Sequence, residues 1–162
     1  MDKNVLEFQF GICGQLFTRI VDGVSEKESL MPPASSGNCA HWILGHVLDS
    51  RNQFLRVLEI EPLYPTDKFS RYARGSKPIA EGEEVLPFSE LVDAYNKMQP
   101  LLMDRLAGMD EEAFKAKAPY SPFDKADETV GSLLAFFAFH ETYHLGQAAL
   151  MRRVVGKPGA VG

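Results

Sequence analysis

Phe139-His140-Glu141-Thr142-Tyr143-His144-Leu145-Gly146-Gln147 is the stretch from which the rest of the chain can be read. Two histidines four apart on a helix stand one turn above the other, about 40° apart around the axis. Their imidazoles then face one point, which is half of a metal site, and H-E-x-x-H on a helix is a zinc signature. Leu133, Phe136, Phe137 and Met151 fall on the same helical face. Imidazoles buried in such a stripe need something to satisfy their ring nitrogens, and a divalent cation does so. A long last helix over about 129–155 is expected, with Asp127 or Thr129 near its start and Arg152 and Arg153 in its last turns, where cations suit the helix dipole.

A third ligand has to come from elsewhere. Gluzincins and metzincins resemble this motif and take theirs downstream, as Glu or His. After His144 the chain has no Glu, Asp or His, and no strand pattern on which a peptide could align, so the protease reading fails. Upstream, a helix is expected from Asn38, Ser36 or Ser35 as N-cap to about Glu59. With Ile43 as its inward direction, Val47, Ser50, Phe54 and Val57 cluster on the buried face. His46 lies at the border of that face beside Trp42 and Gln53, and is the better candidate to look inward. His41 points nearly opposite, and is expected to be solvated or to cap the helix. Glu141 lies about 100° from His140 and is expected to point along a neighbouring helix or outward, with no general-base role. Gln147 and Tyr143 flank the pair and are candidates to hydrogen-bond a ligand nitrogen or a substrate.

Two more helices complete the pattern. Residues 2–22 read as the first, with Val5, Leu6, Phe8, Ile12, Leu16, Ile20 and Val21 as its buried face. Gly11 and Gly14 there suit the close approach of a neighbour. Residues 24–37 read as a connection. A third helix is expected from Phe88 or Ser89, capped by Ser89, to Ala107, with Pro100 kinking or dividing it. A short helical turn is expected at 110–114. Between these lies a long stretch, 61–87, broken by Pro62, Pro65, Pro78 and Pro87. Connections this long are often functional. Lys68, Arg71 and Arg74 make it a candidate flap over an anionic substrate, or else a plain crossover. The expected fold is all-α, a four-helix bundle in one domain over 1–162.

The whole chain sets limits on function. Its 162 residues suit one domain with a core of its own. A formal net charge of −5 leaves no broad basic surface for nucleic acid. No apolar run reaches membrane-spanning length. Cys13 and Cys39 form no CxxC pair, and both read as small buried hydrophobes in a reducing cytoplasm.

Asn38-Cys39-Ala40-His41-Trp42-Ile43-Leu44-Gly45-His46 and His140-Glu141-Thr142-Tyr143-His144-Leu145-Gly146-Gln147, with the helix order and the long middle connection, resemble the DinB-like, or YfiT-like, metal-binding bundles. The resemblance covers nearly the whole chain. It implies an up-down-down-up bundle, commonly a dimer, with one metal-ligating histidine on the second helix and an H-x-x-x-H pair on the last. By motif position these are His46, His140 and His144. It further implies a divalent metal, zinc or nickel first, and a small-molecule substrate. A low-molecular-weight thiol is implied as co-substrate, because the better-understood relatives are thiol transferases and isomerases. Metal-dependent hydrolysis and a non-catalytic metal-binding stress protein stay open beside it. The family name refers to DNA-damage inducibility and implies no DNA binding.

Overall fold

The computed structural model describes residues 3–34 and 36–161. Four long helices, α1 (Lys3–Val21), α3 (Ala40–Val57), α4 (Phe88–Gly108) and α6 (Val130–Val154), are joined by connections carrying α2 (Glu26–Ser29), a 3-10 turn (Ser70–Tyr72) and α5 (Glu111–Lys115). Among the described residues there is no strand, only an isolated bridge between Lys117 and Thr129 that brings the chain into α6.

Side-chain contacts fix the helix directions. Cys13 meets Thr142, and Arg152 donates to the carbonyl of Ile20, so α1 and α6 run parallel. Lys3 reaches the carbonyl of Ala107 while Gln99 donates to that of Phe10, so α4 runs against α1. Arg105 donates to Leu58 at the far end of α3, and Arg51 donates to Gln99, so α3 and α4 run together. The result is the up-down-down-up four-helix bundle, with α1 and α3 at opposite corners, each touching α4 and α6.

Local chemistry sets the helix starts. Thr129 caps α6, accepting from the Ser132 amide, and Ser132 returns the bond to the Thr129 backbone. The N-cap of α3 is Cys39, without a side-chain bond, rather than Asn38 or Ser36; Ser35, like Asp2 of the expected first helix, lies outside the described residues. Ser89 does not cap α4. That helix starts after Pro87, and the Glu26 carboxylate of α2 accepts from its first amide, Phe88, at 2.7 Å. Pro100 does not divide α4, which runs unbroken through it. Residues 24–37 are more than a connection: Ser25 and Glu28 form a capping box that folds α2.

The buried face of α1 also differs from expectation. Leu6, Phe10, Cys13, Phe17 and Ile20 point inward, whereas Val5, Phe8 and Ile12 are exposed. Phe17 wins its place by stacking on Tyr95 of α4, ring centroids 3.6 Å apart. Gly14 admits the Gln99 side chain where a Cβ would clash, so the expected close approach of a neighbouring helix falls at Gly14.

Candidate metal centre

α3 supplies His46, and α6 supplies His140 and His144. One ring nitrogen from each lies within 4.8 Å of the others. The Nε2 atoms of His46 and His140 stand 3.2 Å apart. Two of the three rings are set from behind. Tyr72 offers its backbone carbonyl to His46 Nδ1 at 2.8 Å. A carbonyl only accepts, so Nδ1 carries the hydrogen and the Nε2 lone pair faces inward. Gln147 Oε1 accepts from His144 Nδ1 at 2.8 Å with the same consequence. Such backing bonds fix the tautomer and orientation of metal-ligating imidazoles. Gly45 makes the first of them possible: the Tyr72 ring lies where a side chain at position 45 would have to go.

Burial holds His140 and His144 neutral. The pKa of His140 is lowered to about 4, chiefly by desolvation, with His144 and His46 adding repulsion. That of His144 is lowered by desolvation against the opposing bond to Gln147, with a smaller push from His46. Neutral imidazole is the form that binds metal. Three ring-nitrogen donors converging on one point fit a divalent cation such as zinc or nickel. Among the described residues the cluster offers three protein donors, one fewer than a closed tetrahedral site uses.

Aromatic rings surround the cluster. Trp42 stacks on His46 at 5.1 Å, Tyr143 stands edge-on to His144 at 5.0 Å, and Phe136 lies 6.0 Å from His140. Phe123, exposed on the loop before α6, packs on Phe136. The loop after the 3-10 turn joins this rim, where Trp42 Nε1 donates to Ser76 Oγ at 3.0 Å. Asp49, one turn below His46, is absent from the candidates read from sequence, although its spacing of three from His46 is a signal for it. It is buried and accepts from Gln53, and its carboxyl pKa is raised by burial, with His46 opposing the rise.

Other histidine-motif residues lie away from the cluster. Glu141 points along the neighbouring helices: its carboxylate takes Arg51 in a two-point ion pair at 2.7 and 2.8 Å, and Tyr95 donates to it at 2.7 Å. His41, expected at a solvated position, is 0% exposed. It sits between Ser29 and Tyr72, 3.1 and 3.3 Å away, because α2 and the 3-10 turn cover the side of α3 that the helical pattern leaves open. Of Lys68, Arg71 and Arg74, Arg71 is paired with Glu83 and bonded to the carbonyls of Lys77 and Pro78. Lys68 pairs with Glu90 of α4. Arg74 is exposed.

A bundle of this topology with three histidines from its second and fourth long helices defines a class of metal-binding helical proteins. The chain belongs to the DinB superfamily, whose family model matches residues 9–148. A solved structure, the "conserved protein of locus from Enterococcus faecalis", is similar with a TM-score of 0.67 at 16% identity, over 96% of this chain and 97% of that one. At that identity the likeness speaks for the fold. No curated protein matches.

Proposed function

We propose that the chain is a metal-dependent enzyme that joins a low-molecular-weight thiol to an electrophilic small molecule at the three-histidine cluster. One observation carries the metal part of the reading: two of the three ring nitrogens are pre-set by Tyr72 and Gln147 around a point to which three protein donors converge among the described residues; the thiol comes from the family resemblance. A bound zinc or nickel ion supplies acidity, because coordination favours the deprotonated form of a thiol. His46, His140 and His144 would hold that ion. The aromatic rim of Trp42, Phe136 and Tyr143 keeps water away and receives the apolar body of the electrophile. Asp49 accepts the thiol proton; the carbon–sulfur bond forms as the leaving group departs with its electron pair. Tyr143, Gln147 and the loop residues Arg71 and Arg74 are the nearest candidates for the polar parts of the thiol, Arg74 through its exposed guanidinium and Arg71 only if it releases Glu83.

Buried free thiols at Cys13 and Cys39 support a cytoplasmic protein, and the resemblance supports a homodimer. No helix among the described residues is long and apolar enough to cross a membrane.

The test combines elemental analysis of purified protein, thermal shift on adding Zn²⁺ or Ni²⁺, and turnover of a haloarene with a panel of small thiols. Stoichiometric metal, and turnover lost in His46→Ala, His140→Ala and His144→Ala, are expected. Turnover indifferent to all three substitutions ends the proposal.

A further inference from the structure

Tyr72 touches both histidines of α3. His41 and His46 stand about 140° apart around that helix, with Gly45 between them. The Tyr72 ring crosses Gly45 where a side chain would otherwise lie. At one end its hydroxyl meets His41 Nε2 at 3.3 Å. At the other, its backbone carbonyl accepts from His46 Nδ1 at 2.8 Å. Held at the hydroxyl and against Gly45, the side chain leaves its own backbone little freedom to turn that carbonyl.

Counting hydrogens gives each bond behind Tyr72 its direction. Ser29 has one hydroxyl hydrogen and donates it to the Glu26 carbonyl at 2.7 Å. Its oxygen is then left to accept from His41 Nδ1, 3.1 Å away. Burial lowers the pKa of His41 against the pull of Glu26, so the ring is neutral and has one hydrogen and one lone pair. With the hydrogen on Nδ1, Nε2 accepts from the Tyr72 hydroxyl. Ser29, His41 and Tyr72 are each 0% exposed, so water offers none of them a replacement partner. The far end of the chain of bonds belongs to α2. There the Glu26 carboxylate lies 3.5 Å from His41 Nδ1 and also accepts from the first amide of α4.

We propose that His41 is a positioning residue for the metal centre: through the Tyr72 hydroxyl it sets the carbonyl that holds the His46 ring, and so ties the docking of α2 to metal affinity. Such coupling is reciprocal, and α2 docks more tightly in the metal-loaded chain by the same factor. This role presupposes a metal at the three-histidine cluster and none of the thiol chemistry.

Two measurements on the full chain test it: zinc affinity by chelator competition well below the unfolding temperature, and the His46 Nδ1–H signal in proton–nitrogen NMR spectra of the metal-free protein. Tyr72→Phe removes one oxygen and keeps the ring and the carbonyl, while His41→Leu removes the acceptor. Each is expected to weaken zinc binding about 3–10-fold, less than the ~10–100-fold typical of a group that touches a ligand directly. Each is also expected to speed exchange of the His46 Nδ1–H with water. Zinc is expected to slow amide exchange across α2 in the wild type, and to do so much less in Tyr72→Phe. Leu106→Ala, buried near the end of α4 and outside this chain of bonds, is expected to lower the unfolding midpoint without either effect. Wild-type affinity in both Tyr72→Phe and His41→Leu overturns the role of His41 and leaves the three-histidine site standing. So does a loss of affinity with an unchanged Nδ1–H signal, or an equal loss in Leu106→Ala, since either is an effect of stability alone. A wild type that binds no zinc overturns both the role and the site.

Discussion

Replacing Glu141 by glutamine separates two roles that H-E-x-x-H leaves open for its acid. In this fold the carboxylate is the counter-charge of a fully enclosed guanidinium: Arg51 is 1% exposed and Glu141 2%. Burial alone would lower the Arg51 pKa, but Glu141 more than reverses that and keeps it raised. The substituted amide keeps the shape and one acceptor but leaves Arg51 charged and unpaired in the core. Breaking a buried pair from one side costs about 3–5 kcal/mol. Part of that is retained here, since Tyr95 and Gln99 still accept from Arg51 and its plane lies 3.8 Å over the Tyr95 ring. A loss of about 3 kcal/mol is therefore expected, a large share of the ~5–15 kcal/mol that holds a domain folded. At roughly 2–4 °C per kcal/mol for a chain of this size, the melting temperature falls by about 10 °C. The assay is urea and thermal unfolding followed by circular dichroism, with zinc affinity measured alongside. Removing both charges at once, as Arg51→Met with Glu141→Leu, is expected to recover most of the loss. A Glu141→Gln protein of wild-type stability whose metal affinity or turnover collapses would refute this, and would return Glu141 to the metal.

The apo-protein should be acid-sensitive through its ligand histidines. The pKa of His140 is lowered to about 4 in the folded chain against ~6.5 unfolded, so its contribution is complete above pH 6.5 and lost as the pH falls toward 4; allowing for its partly exposed setting, about 1–2 kcal/mol should disappear from urea-derived stability between pH 7.5 and 4. Gly45→Ala drives a methyl into the Tyr72 ring and displaces the carbonyl behind His46; zinc affinity by chelator competition should drop about 10–100-fold, and wild-type affinity would show that the carbonyl does not orient the ring. Trp42 is the sole tryptophan and stacks on His46, so its fluorescence should be quenched stoichiometrically by Ni²⁺ in the wild type and not in His46→Ala.

The long helices and the three-histidine cluster were legible because both depend on local spacing. His140 and His144 share a face by helical geometry, and His46 is the histidine of its own helix that faces α6. What the sequence hid depends on neighbours. α1 carries two apolar stripes, Leu6-Phe10-Cys13-Phe17-Ile20 and Val5-Phe8-Ile12, and periodicity does not say which one meets the core; Tyr95, on another helix, decides it. The Arg51–Glu141 pair joins residues far apart in the chain, and neither has a local cue for the other. His41 looked exposed because the segments that cover it, α2 and the 3-10 turn, read as connections. The loop cations suggested an anionic substrate, yet Arg71 and Lys68 hold the loop to itself and to α4.

The backing of His46 by Tyr72 changes what the long crossover is for. A shortened chain that linked Val57 to Phe88 through a minimal turn would retain each bundle helix and the whole histidine pattern. It would nonetheless leave the His46 ring without its acceptor, free to spin and to carry its hydrogen on either nitrogen. Any attempt to miniaturise or graft this bundle must therefore transplant residues 61–87 along with the helices, because part of the coordination apparatus is written in what looks like a spacer.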